Sequence, residues 1–236
     1  MRRRIYTLIV TVVAVLSAVA MTATAENHAM TIEELYLEED PGIKVLRAQA
    51  LSSERVHKEL ALETLTQLVE NGSIGADDSA HIALLRILAT DGSSYQVRTG
   101  GRVIYNNPDI RRDAVELLGE IGGESTRNVL RKVLRFEREP MVLSQAVHAV
   151  GEVGLDGRAD IARDIARVMI RENARENPDL NLVFTTLTTI ELIAEGSTEG
   201  LDDNALIENL IKISSGRYNG IVREQAKSTL NTLAGL

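Results

Sequence analysis

Cysteine and tryptophan are absent from the 236-residue chain, and two phenylalanines and five tyrosines are its only aromatic residues. Without cysteine there can be no disulfide, thiolate metal site, thiol nucleophile or lipid-modified N-terminal Cys. Aromatics at 3% leave no stacking platform for bases or sugars. A basic excess is lacking too: the formal net charge is −8, which disfavours DNA or anionic lipid as the main partner. The chain has no G-x-S-x-G, no P-loop and no dinucleotide fingerprint. His28, His57, His81 and His148 are scattered, and no pair has the i, i+4 spacing of a helical zinc site. No catalytic residue, metal site or cofactor is therefore assigned, and the expectation is a non-enzymatic protein that does not act on nucleic acid.

The remaining composition is ordinary for a globular chain, with 44% hydrophobic and 25% charged residues. One long apolar run stands out, and it has the layout of an address. Arg2, Arg3 and Arg4 precede an apolar stretch from Ile5 to Met21, and Ala23-Thr24-Ala25 has the small-x-small pattern that signal peptidase accepts. Residues 1–25 are read as a signal peptide cleaved after Ala25. The product is expected to be periplasmic or secreted, without stable membrane insertion. The alternative is an N-terminal membrane anchor, since Ile5 to Ala25 is long enough to span a bilayer. Cleavage removes three arginines, so 26 basic residues become 23 against 34 acidic ones, a net charge of −11. Residues 26–42 form an acidic arm with Glu33, Glu34, Glu38, Glu39 and Asp40, ended by Pro41-Gly42. The arm reads as a solvated leader or N-terminal cap.

The rest of the chain repeats itself. The stretch Pro108 to Gly122 recurs 32 residues later as Pro140 to Gly154. Ile110/Val142, Ala114/Ala146, Val115/Val147, Leu118/Val150 and Ile121/Val153 match in register, as do Gly119/Gly151 and Gly122/Gly154. These apolar positions follow the stripe of an amphipathic helix. Proline suits the first turn, and Gly122 and Gly154 stand where a left-handed C-terminal cap is expected. Another copy runs through Val222, Arg223, Ala226, Leu230 and Leu233, and a weaker one holds Ala61, Leu65 and Leu68. A helix over about 179–195 fits by position, with Phe184, Leu187, Ile190 and Ile193 on its stripe. Partner helices are expected over about 125–138, 158–176 and 202–214. Asp77-Asp78 and Asp202-Asp203 open two helices, where one Asp caps free N–H groups and both oppose the helix dipole.

Arg111, Ala114, Leu118, Gly119, Ile121 and Gly122, with Arg223, Ala226, Leu230 and Leu233, give the chain its resemblance to the HEAT-repeat superfamily. It resembles most closely the bacterial HEAT-like repeats with an R-x-x-A-x-x-x-L-G-x-I-G second helix. Leu143 stands where the second copy would have Arg. The resemblance spans residues 43–236 and is strongest over 108–157. It implies an all-α fold, a right-handed α-α superhelix of about five antiparallel helix pairs forming one repeat domain. Some HEAT-like families attach or remove chromophores and others repair DNA, so an enzyme or enzyme accessory of lyase type is the alternative class. Their active-site residues have no counterpart that can be placed here.

An insertion breaks the period. Ala61 to Ala114 is 53 residues, 21 more than the clean repeat, and the excess falls at 91–107. There, alternating β-formers flank Gly100-Gly101, a β-hairpin signal. Tyr95, Arg98, Arg102 and Tyr105 are the candidate partner-binding residues, since Tyr and Arg predominate at binding hot spots. The other reading of the same hairpin is a cover over apolar helix surface. Arg127, Arg131, Lys132, Arg135 and Arg138 form one basic run, and Arg158, Arg163, Arg167 and Arg171 a second. Interleaved Glu137, Glu139, Asp160, Asp164 and Glu172 point to solvated faces with i, i+4 pairs. The functional expectation is a protein–protein interaction scaffold of the cell envelope. Self-assembly is the structural alternative: Leu230, Leu233 and Leu236 at the C-terminal end suit a homo-oligomeric contact.

Overall fold

The computed structural model describes residues 40–93, 97–99, 102–153, 158–194 and 201–235. Residues 1–39, read above as a signal peptide and most of the acidic arm, lie outside them. Ten helices are present among the described residues: α1 (Pro41–Leu51), α2 (Arg55–Glu70), α3 (Ser79–Thr90), α4 (Pro108–Ile121), α5 (Gly123–Phe136), α6 (Pro140–Glu152), α7 (Arg158–Ala174), α8 (Leu180–Ala194), α9 (Asn204–Ser215) and α10 (Gly220–Ala234). None is long and apolar enough to cross a membrane. Two short strands, β1 (Val97–Thr99) and β2 (Arg102–Tyr105), pair antiparallel between α3 and α4. Helix α1 takes in Pro41-Gly42, read above as the end of the arm, because proline's fixed φ suits a first helical turn.

The helices pack as five pairs, α1–α2, α3–α4, α5–α6, α7–α8 and α9–α10. Second helices α2, α4, α6, α8 and α10 touch one another in succession, and first helices α1, α3, α5, α7 and α9 do the same. The result is two layers with one apolar core between them. Each stripe read from the sequence faces that core. Ile110, Ala114, Val115 and Leu118 of α4 are buried, as are Val142, Ala146, Val147 and Val150 of α6. Ala61 and Leu65 on α2, Leu187 and Ile190 on α8, and Val222 and Ala226 on α10 extend it along the stack. A lone pair could not hide such stripes, and stacking hides each against its neighbours.

Close approach in the second layer needs glycine. A Cβ built on Gly119 would lie 2.9 Å from the Ala149 Cβ, and one on Gly151 would lie 2.8 Å from the Thr189 Cγ2. The glycine recurring at 32 residues therefore marks where each second helix meets the next. Gly122 ends α4 with a positive φ of +69°, but its ψ of −172° takes it out of the left-handed helical region expected of the cap, because it also opens α5 directly. Gly154, its counterpart, lies outside the described residues, and α6 ends instead on Val153 in the right-handed helical region. The paired aspartates act as caps: Asp78 accepts from the His81 N–H, and Asp203 from the Leu206 N–H.

Both ends of the insertion are tied to the core by buried cations. Arg111 donates through Nη1 to the Asp91 carbonyl at 3.2 Å and to Asn106 Oδ1 at 2.8 Å. Its Nε donates to Glu137 Oε2 at 2.7 Å, with both side chains almost fully buried. Lys58, also buried, donates to the Ala50 carbonyl at 2.9 Å and pairs with Asp91 at 3.1 Å. The motif arginine of α4 thus clamps the loop base to the turn between α5 and α6.

Candidate functional site

Of the four residues singled out on the insertion, Tyr95 lies outside the described residues. Arg98 falls on β1, and Arg102 and Tyr105 on β2. The strand register sets Val97 opposite Tyr105, Arg98 opposite Val103 and Thr99 opposite Arg102, with an irregularity between Val97 and Arg98. The Gly100-Gly101 turn is also outside the described residues. The backbone brings Arg98, Arg102 and Tyr105 onto one two-stranded element rooted on Asp91 and Asn106.

A second feature was missed in the sequence. Asp109, Asp113, Glu116 and Glu120 recur on α4 at i, i+4, i+7 and i+11, and Glu59, Glu63 and Glu70 recur on α2 at i, i+4 and i+11. Such spacing places each set on one helix face. The two faces border a cavity of about 640 Å³, floored in part by Leu62, Ile110 and Leu117. A second cavity of about 460 Å³ lies against α4, α6 and α8, lined among others by Arg112, Met141, Gln145, His148 and Thr185. Glu116 borders both, so the two follow one another along the second-helix face.

The charge there is poorly compensated. Arg55 pairs with Glu59 at 2.7 Å and with Asp109, and its hydrogen bond holds the Asp109 carboxyl below the usual carboxylate range. Arg112 Nε donates to its neighbour Asp113 at 2.7 Å. Glu63, Glu70, Glu116 and Glu120 have no ion pair among the described residues. Burial, then the like charges of Glu116, Glu70 and Glu152, push the Glu120 carboxyl up. A surface that disfavours its own charge attracts cations. His148 is exposed, as read from the sequence, and stands 3.4 Å from Glu152.

In the other layer, several arginines of the two basic runs on α5 and α7 are used internally. Asp164 is fully buried. It accepts from Arg131 Nε and Arg135 Nε at 2.8 Å each, and Arg167 also reaches it. The expectation of solvated faces with i, i+4 pairs is corrected in part: Arg163 and Asp160 form an exposed i, i+3 pair on α7, but Arg131 and Arg135 of α5 reach across to the buried Asp164. Burial pushes the Asp164 carboxyl up, but the Arg135 and Arg131 bonds outweigh it and hold the group below its ordinary value. Among the described residues no three His, Asp or Glu side chains gather as a metal site.

No curated protein matches the chain, and no solved structure does. A family model described as HEAT repeats matches residues 105–176, from the last residue of β2 through α7 and the start of the linker beyond. That segment holds the two clean copies of the repeat, and helix pairs on both sides of it continue the same two layers. The chain thus carries HEAT repeats over residues 105–176, within a longer stack of helix pairs.

Proposed function

We propose that this protein is a non-enzymatic interaction scaffold of the cell envelope, exported by its N-terminal signal and wound as a right-handed superhelix. Its second-helix face and its β-hairpin would receive a protein partner. The observation that carries this reading is the pair of cavities following one another across α2, α4, α6 and α8, bordered by an excess of carboxylates over cations. HEAT-type arrays offer long surfaces of this kind, and their repeats commonly meet other proteins there. The acidic wall favours a partner segment rich in Lys or Arg. Tyr95, Arg98, Arg102 and Tyr105 supply the anchors on the hairpin, beside that face in the chain. A specific contact would bury about 800 Å² on this side.

The test is affinity capture from an envelope extract with the mature chain (residues 26–236), beside a variant with all four hairpin residues changed to Ala. The scaffold reading expects a partner held by the wild type and lost by the variant at unchanged helicity. Equal capture by both would remove the hairpin from the site. Turnover of a small substrate by the purified protein would replace the scaffold with an enzyme.

A further inference from the structure

A cavity of about 370 Å³ sits away from the acidic face, where the last turns of α7 meet the α5–α6 turn. Arg138, Arg171 and Arg175 line it, with Glu137, Glu172 and the buried Leu143. Both carboxylates are already engaged. Glu137 accepts from Arg111 Nε at 2.7 Å and from the backbone N–H groups of Arg138 and Glu139 at 2.7 and 3.0 Å. Glu172 accepts from Arg175 Nη1 at 2.9 Å and from the Asp179 N–H at 2.8 Å. Each is almost fully buried, so neither can swing out to serve another cation.

Arg138 and Arg171 are not so engaged. Arg171 donates only to neutral carbonyls, those of Glu137 at 3.1 Å and Leu134 at 2.8 Å. Burial, then the neighbouring Arg138 charge, hold its pKa below the ordinary value, and the nearby Glu172 and Glu137 charges offset this only in part. Exposed Arg138 has no ion pair among the described residues. A guanidinium carries five N–H donors in a planar fork, and most of those on Arg138 and Arg171 remain open. Such forks match the paired oxygens of a carboxylate or phosphate.

We propose that this cavity is an oxyanion-binding site, taking a carboxylate or phosphate group on Arg138, Arg171 and Arg175. The site is separate from the second-helix face and independent of the scaffold reading. The chain's net negative charge does not oppose it strongly, because charges beyond about 10 Å are screened at ordinary salt. What the ligand meets is local: Arg138 and Arg171 with open donors, an Arg175 that shares its charge with Glu172, and a Glu137 already held by Arg111.

The experiment is a titration of the full chain with inorganic phosphate and, separately, with sodium acetate, at ionic strength held constant with chloride. The readout is the NMR shift of arginine Nε–H resonances. Saturable shifts confined to Arg138, Arg171 and Arg175 are expected. The Arg138→Gln variant, altered only at an exposed side chain, should bind about tenfold more weakly, which corresponds to about 1.4 kcal/mol. Tighter binding of phosphate would identify a phosphoryl ligand, and tighter binding of acetate a carboxylate one. The proposal is overturned if neither ion gives saturation, if arginines across the surface shift alike, or if Arg138→Gln binds as the wild type does.

Discussion

Replacing Arg111 with Met should destabilise the second and third repeats as severely as a large core truncation does. The side chain is buried, and it joins three elements at once: Glu137 after α5, and Asp91 and Asn106 at the two ends of the insertion. Removing one partner of a buried ion pair leaves the other charge in a medium of low polarity and costs about 3–5 kcal/mol. Glu137 would keep its bonds from the Arg138 and Glu139 N–H groups, which places the loss toward the lower end of that range. Loss of the Asn106 bond adds about 1 kcal/mol. A total of about 4 kcal/mol is a large share of the stability of a domain this size. Urea unfolding followed by circular dichroism would measure it. The double variant Arg111→Met with Glu137→Gln should recover a good part of the loss, since it removes the stranded charge. A single-variant loss below about 1 kcal/mol would refute the clamp, because the groups would then be solvated. No recovery in the double variant would refute the stranded-charge explanation.

Other consequences can be checked separately. Leu118→Ala empties a fully buried position and should cost about 2–5 kcal/mol in the same unfolding assay. Gly119→Ala should destabilise by about 1–3 kcal/mol despite alanine's better helix propensity, because its Cβ would meet Ala149 at 2.9 Å; a rise in melting temperature would contradict the close approach. Asp164 has a folded pKa held below its unfolded value, so its contribution is present above the unfolded pKa and lost as pH falls through the folded one. Below about pH 4, where carboxylates begin to protonate, the wild type should lose stability more steeply than Asp164→Asn. Glu120 is the opposite case, with a folded pKa raised by burial and like charge, so its charged form disfavours folding at neutral pH. Glu120→Gln should raise the melting temperature at pH 7 in low salt and less so in high salt.

The second-helix stripes were legible because helical periodicity is local. Ile110, Ala114 and Leu118 need only their own spacing to announce a buried face, and Asp78 and Asp203 need only the helix start behind them. Gly119 and Gly151 were visible as a repeat, but their role as contact points required the neighbouring helix. Long-range electrostatics stayed hidden. Arg111 meets Glu137 26 positions away, and Arg131 meets Asp164 33 positions away. Nothing in either run of arginines says which carboxylate the stack will bring opposite. The α4 stripe of Asp109, Asp113, Glu116 and Glu120 was readable by spacing alone. Its meaning as a cavity wall depends on Glu59, Glu63 and Glu70 of α2, which only stacking places across from it.

The central claim is that the second-helix face and the hairpin together receive a protein. Quantitative capture tests it most directly, with three baits in parallel: the wild type, the four-residue hairpin variant, and a variant carrying Glu63→Gln, Glu70→Gln, Glu116→Gln and Glu120→Gln. The account predicts one set of partners on the wild type, depleted on both variants, with basic segments at the contact and binding weakened by added salt. The same partners at the same yield on all three baits would contradict it.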